Sequence, residues 1–114
     1  EKFFLYYEEW DWSMRLMKAG YNIFYQPAAL IYHKESMSVG KNSTLKTYYL
    51  SRNRILFMRR NCSRLQLAVF FVFYSAFTFP KTVLGYLLKG DFSSLNVYVK
   101  AIWWNFVNSK QSAV

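Results

Sequence analysis

The sequence predicts an α+β fold, mainly α-helical with two short strands. Three observations carry that expectation. Apolar residues recur at helical spacing over residues 8–19, 44–61 and 92–108. A stretch interrupted by Pro27 has the texture of extended chain. Gly20 and Gly90 fall where elements stop. With 114 residues the chain amounts to one small domain.

In chain order, residues 8 to about 19 form the first helix. Trp10, Met14 and Met17 share one face, which Trp12 and Leu16 extend. Asp11 and Arg15 stand four apart in the acid-first order that favours a helical ion pair. Gly20 offers the positive φ that ends such a helix. Residues 21–33, YNIFYQPAALIYH, read as extended: Ile23 and Tyr25 before Pro27, and Leu30 and Tyr32 after it, mark the two strands. A proline in a ladder argues for an edge or a kink. KESMSVGKN, residues 34–42, has loop composition.

Asn42 or Ser43 can cap a helix from Thr44 to about Asn61. Its apolar positions Leu45, Tyr48, Tyr49, Ile55 and Leu56 alternate with Lys46, Arg52, Arg59 and Arg60. Sixteen residues without a formal charge then run from Leu65 through Pro80, and TVLGYLL follows Lys81. A final segment runs from Phe92 to about Asn108. The expected division is residues 1–61 and a hydrophobic, amphipathic region over 62–114.

Apolar residues make up 54% of the chain and aromatics 22%, so part of this surface should meet a partner domain or lipid. The dense aromatics right after Glu1 read as an entry in mid-fold, and the chain is expected to be part of something longer. The formal net charge is +9, and eight Lys or Arg lie between Lys34 and Arg64 against one acid, Glu35. Such a patch suits anionic lipid or a diphosphate. No Gly-rich RNA-binding signature or helix-turn-helix spacing accompanies it, so no nucleic-acid partner is expected. Cys62 is the single cysteine, which excludes a disulfide within the chain and fits a reducing compartment.

A helix that crosses a bilayer needs about 20 apolar residues. Leu65–Pro80 falls short, and joining it to TVLGYLL puts Lys81 in hydrocarbon at a cost of roughly 3 kcal/mol. A tilted span stays open, but an interfacial or re-entrant helix pair suits the lengths better. Arg59, Arg60, Arg64 and Lys89 flank it and favour anionic head groups, so the expected location is the cytoplasmic face of the cell membrane. In the last segment Leu95, Val99, Ile102 and Phe106 recur at helical spacing beside Trp103, the pattern of a helix lying in the interface. Packing against another domain is the alternative for both segments.

Three of the six acids sit in one turn, EEWD, bracketed by Tyr7, Trp10 and Trp12. Aromatic walls strip water from carboxylates and make them better bases, while acids at a helix start also favour its dipole. His33, the one histidine, ends the second strand and can complete a divalent-metal site with the upstream carboxylates or serve a structural role. Arg52 and Arg54 can pair with phosphate oxygens or form a solvated or lipid-facing stripe.

The order of these residues resembles the acceptor-side motif of family 2 glycosyltransferases, the GT-A fold enzymes that use nucleotide sugars. The matching positions are Phe3 and Phe4, the pair Glu8 and Glu9, Asp11 and Arg15, Gly20, then Tyr25, Pro27, Ala29 and His33. Ser38 and Gly40 follow in the loop, and Tyr49, Arg52 and Asn53 are similar to the family's Tyr-x-x-Arg-Asn run. The resemblance covers roughly the first sixty residues and implies the C-terminal part of a GT-A α/β enzyme. It implies inverting transfer from a nucleotide-sugar donor to a hydroxyl of a lipid-linked or polysaccharide acceptor. Glu9 would be the general base, or Glu8 beside it, because the family's second acid is usually Asp. Asp11 and Arg15 would support the helix, Arg52 and Lys41 would bind the diphosphate, and His33 would help hold a divalent metal, Mg or Mn. Most metal ligands, an Asp-x-Asp motif and the nucleotide pocket would lie in an N-terminal domain upstream. No Asp-x-Asp occurs in this sequence, so these residues alone are expected to be inactive. The competing expectation is a non-catalytic, basic, aromatic module that binds membrane surfaces.

Overall fold

The computed structural model describes residues 3–32 and 43–109. All regular structure among them is helical: α1 (Glu8–Lys18), α2 (Thr44–Asn61), α3 (Arg64–Phe73), a π-helical turn (Tyr74–Thr78), α4 (Phe79–Leu88) and α5 (Phe92–Val107). Local chemistry sets most of the ends. Gly20 at φ 87° closes the turn after α1, with its N–H bonded to the Met17 carbonyl at 3.0 Å. The Ser43 hydroxyl accepts from the Lys46 N–H at 3.2 Å and starts α2. Ser63 and Gln66 form a reciprocal capping box that starts α3 only two residues after α2 ends. Gly90 at φ 66° closes α4, and the Asp91 carboxylate accepts from the Ser94 N–H at 3.0 Å to open α5.

No strand occurs among the described residues, which corrects the expected α+β class to all-helical. Residues 21–32 run as irregular chain with a small turn at Pro27, where the Ala29 N–H meets the Gln26 carbonyl at 3.1 Å. A strand is held by a neighbouring ladder, and among the described residues none pairs with this segment. Ile23, Phe24, Tyr25, Leu30, Ile31 and Tyr32 consequently stand exposed. His33, at the end of the expected second strand, lies outside the described residues.

The second difference concerns residues 64–88. In place of a helix pair, they form one uninterrupted helix, Arg64–Leu88, that passes through Pro80. Proline lacks the N–H for the bond to residue i−4, and its ring crowds that carbonyl. The π-helical turn immediately before Pro80 widens the backbone there and absorbs both problems.

The N-terminal turn of α2 and the start of α5 border one groove, through Lys46 and Ser94. Near the other end, Arg59 reaches the Asn105 and Ser109 carbonyls. The two helices therefore run side by side in the same direction. The rod Arg64–Leu88 returns antiparallel along them. Its Phe70, Phe71, Tyr74, Val83 and Tyr86 pack on the small core of Ile55 and Tyr98. Helix α5 buries Ser94, Tyr98, Ala101 and Asn105 and exposes Val99, Trp103 and Phe106, so its polar and small stripe faces inward. Replacing Ser63 by Ala removes the capping box and should lower stability by about 1 kcal/mol in urea unfolding followed by circular dichroism.

Candidate functional site

The expected catalytic pair sits at the start of α1, and the way the chain enters that helix is strained. Tyr6 and Tyr7 both occupy the left-handed region, at φ 65° and 71°. Two consecutive non-glycine residues there cost roughly 1–2 kcal/mol each. Asn53 of α2 holds them. Its side chain is fully buried, and its Nδ2 donates to the Leu5 carbonyl at 2.6 Å and the Tyr6 carbonyl at 2.9 Å. The Oδ1 accepts from Arg52 Nε at 2.9 Å, so both donors and the acceptor of the amide are used.

This clamp aims Glu8 and Glu9 into a cleft of about 400 Å³ whose other lining residues are Tyr6, Tyr7, Trp10 and Leu50. Tyr7 and Trp10 give it an aromatic floor, with ring centroids 5.8 Å apart, and Phe57 backs them at 5.6 and 6.3 Å. Both glutamates are exposed, so the dehydrating walls expected from the sequence do not enclose them. The Trp10 indole is also open, at 65% exposure, and offers a flat apolar face beside two carboxylates.

Asp11 is different in kind. It is 4% exposed and accepts from Arg15 Nε at 3.1 Å and from Asn61 Nδ2 at 3.1 Å, with Arg60 Nε at 4.0 Å. The expected Asp11–Arg15 pair is present, and through Asn61 and Arg60 it also fastens α1 to the end of α2. Its role is to hold the helix that carries the glutamates.

Arg52 and Arg54 diverge because two helical positions are 200° apart around the axis. The Arg52 guanidinium lies between the Tyr49 ring at 4.9 Å and the Trp104 ring at 4.6 Å, in the seam between α2 and α5. Arg54 Nε instead donates to the Tyr7 hydroxyl at 3.3 Å. Arg54 also borders a second depression of about 510 Å³, charged by Lys46, Lys89 and Asp91 and floored by Tyr98. Leu50 is common to the lining of both depressions, so the acid cleft and the basic groove are neighbours. The Tyr98 hydroxyl meets the Tyr74 hydroxyl at 2.8 Å in the core. Burial, helped by that bond, pushes the Tyr74 phenol well above its ordinary range and keeps it protonated.

His33 and Lys41 lie outside the described residues. Among the described residues no group of three His, Cys, Asp or Glu is placed to hold a metal ion. The described side chains alone do not supply the oxygen ligands a divalent cation needs. The sequence reading named Glu8, Glu9, Asp11, Arg15, Arg52 and Arg54. Tyr98 was not expected at the groove, and Lys46 and Lys89 were expected only as a basic helix position and a cation flanking the apolar stretch. Lys46 and Arg54, eight positions apart on one helix face, were the only advance sign of the groove. No family model, curated protein or solved structure matches the chain.

Asn53→Ala leaves two carbonyls without their donor and releases the strained turn. It should cost about 2–3 kcal/mol in urea unfolding and should accelerate hydrogen exchange at the first turn of α1 ahead of the rest of the helix.

Proposed function

We propose that this chain is the acceptor-side and membrane-associating part of an inverting family 2 glycosyltransferase. The observation that carries the reading is the paired Glu8 and Glu9 at the mouth of an aromatic-floored cleft, held there by Asn53. A sugar presents C–H faces and hydroxyls together, and an open indole beside two carboxylates answers both. In the proposed step the Glu9 carboxylate takes the proton of an acceptor hydroxyl. That oxygen forms its bond to the anomeric carbon of the donor sugar. The bond to the leaving nucleoside diphosphate breaks on the opposite face, with inversion. Glu8 is the alternative base. Donor binding, and any Mg or Mn that aids departure of the diphosphate, belong in this proposal to the upstream part of the enzyme, together with His33 and Lys41. The acceptor is a lipid-linked or envelope glycan.

The membrane part of the proposal is supported by how α5 and the rod expose their residues. Leu65, Val69, Val72, Phe73, Phe77, Leu84 and Leu88 of the rod face outward, as do Val99, Trp103 and Phe106 of α5. At about 1.5 Å per residue the 25-residue rod is long enough to cross a bilayer. The packing favours a different pose. Helix α2, with Lys46, Arg52, Arg54, Arg59 and Arg60, meets the rod where Ile55 packs on Tyr74 and shares a groove with its far end. A spanning rod would carry Arg52 and Arg54, at mid-length of α2, and its own Lys81 toward the hydrocarbon at roughly 3 kcal/mol each. The rod and α5 are therefore proposed to lie in the plane of the cytoplasmic surface, outer faces in the acyl boundary and α2 above them.

Two measurements test these readings. In the complete enzyme, Glu9→Gln should still bind donor but lose roughly 10²–10⁴-fold in turnover. If Glu8→Gln shows that loss instead, the base is Glu8; full turnover in both variants leaves only the non-catalytic membrane module. For the pose, spin labels on cysteines at residues 65, 77 and 88, in a Cys62→Ser background, should report one common depth in anionic vesicles. A depth that changes steadily from one end to the other would mean a span.

A further inference from the structure

The groove beside the acid cleft has no part in the proton transfer proposed above, and its chemistry is specific. Three cations, Lys46, Arg54 and Lys89, face it against one carboxylate, Asp91, whose oxygen is engaged by the Ser94 N–H. The excess of two positive charges matches a phosphate monoester, which carries about −1.5 to −2 at pH 7. Helix α2 begins at this groove with no acid in its first turn, so the positive end of its dipole adds to the field there.

A second feature points to a ligand independently of charge. Tyr98 is only 4% exposed and lines the groove, and its hydroxyl pairs with that of Tyr74. Two hydroxyls bring two O–H hydrogens, and the bond between them uses one. Among the described residues no acceptor takes the other. When Tyr74 donates, the spare O–H belongs to Tyr98, the member of the pair that lines the groove, and can meet an acceptor bound there. Thr82, Tyr86 and Lys89 bring the end of the apolar rod to the same groove.

We infer that this groove binds a phosphate ester at the membrane surface, through Lys46, Arg54, Lys89 and the Tyr98 hydroxyl. The shared chemistry is a phosphate monoester, whether borne by a lipid or free in solution. The site does not depend on glycosyl transfer, because binding alone reads it out. Beside the glutamate cleft, it would hold the phosphate of a ligand whose other end lies in the acyl layer.

The test is flotation of the full chain with phosphatidylcholine vesicles carrying either phosphatidic acid, a monoester, or phosphatidylglycerol, a diester, matched for surface potential. The chain should prefer phosphatidic acid. Lys46→Gln with Lys89→Gln should weaken that binding about thirtyfold, against less than about threefold for Lys18→Gln with Lys100→Gln, on the scale of roughly 1 kcal/mol per basic residue at an anionic surface. Tyr98→Phe, which leaves the charge unchanged, should abolish the preference for the monoester. Thermal melts establish that each variant is folded, and the lysine pair tests the site even if Tyr98→Phe is not. Displacement by millimolar inorganic phosphate would assign the site to a soluble phosphate, and resistance to it would assign a lipid-borne one. Equal loss in the two double variants, or equal binding of the two lipids by the unaltered chain, would overturn the proposal.

Discussion

The fully buried amide of Asn53 is the constraint on which the arrangement turns. It ties a strained aromatic turn to the middle of α2 and so sets the direction in which α1 leaves. Without it the left-handed pair Tyr6 and Tyr7 would relax, and Glu8 and Glu9 would lose their common outlook. Asp11, still in the first turn of α1, repeats the idea against the end of α2, where Asn61 and Arg60 meet its carboxylate. At the far end of α1, Lys18 Nζ donates to Asn61 Oδ1 at 3.3 Å. A short helix carrying two carboxylates is thus pinned at both ends to one longer helix. Strain held by buried polar contacts is a recurrent property of functional sites, because it keeps reactive groups where they would not rest unaided.

Helix α2 is consequently the organising element. One side of it receives α1, another receives α5, and its N-terminal turn borders the basic groove. Polar stitches join it to α5: part-buried ones from Asn105 Nδ2 to the Arg52 carbonyl at 3.1 Å and from Arg59 to the Asn105 carbonyl, and an exposed one from Arg59 to the Ser109 carbonyl. The part-buried bonds lie inside while Trp103, Phe106 and Val99 lie outside. In water that inversion wastes apolar burial. Against lipid it is the favoured arrangement, since polar and small residues then glue helices and apolar ones meet the acyl chains.

Of the site, the parts carried by a single helix were legible. The EEWD turn placed Glu8 and Glu9 together, and the spacing of Asp11 and Arg15 announced their contact. The basic run of α2 was visible too, but as a stripe rather than a groove. Its separation into an aromatic-clasped Arg52 and a groove-facing Arg54 depends on Trp104 and Tyr7, some fifty residues away in either direction. Lys89 and Tyr98 join the groove only because the rod doubles back, which no local pattern encodes.

The same division runs through the fold. The sequence by itself determined where helices start and stop at Ser43, Ser63, Asp91, Gly20 and Gly90, because a cap or a positive φ is settled within a few residues. Tertiary structure decided the rest. Residues 21–32 have extended character but no ladder among the described residues, since a strand exists only through its neighbour. The helix continues past Pro80 because a widened turn accommodates the ring, where the sequence pattern suggested a stop. Which stripe of α5 faced inward depended on the partners α2 and the rod supplied: hydrogen-bonding groups on one side, and on the other the exposed Val99, Trp103 and Phe106.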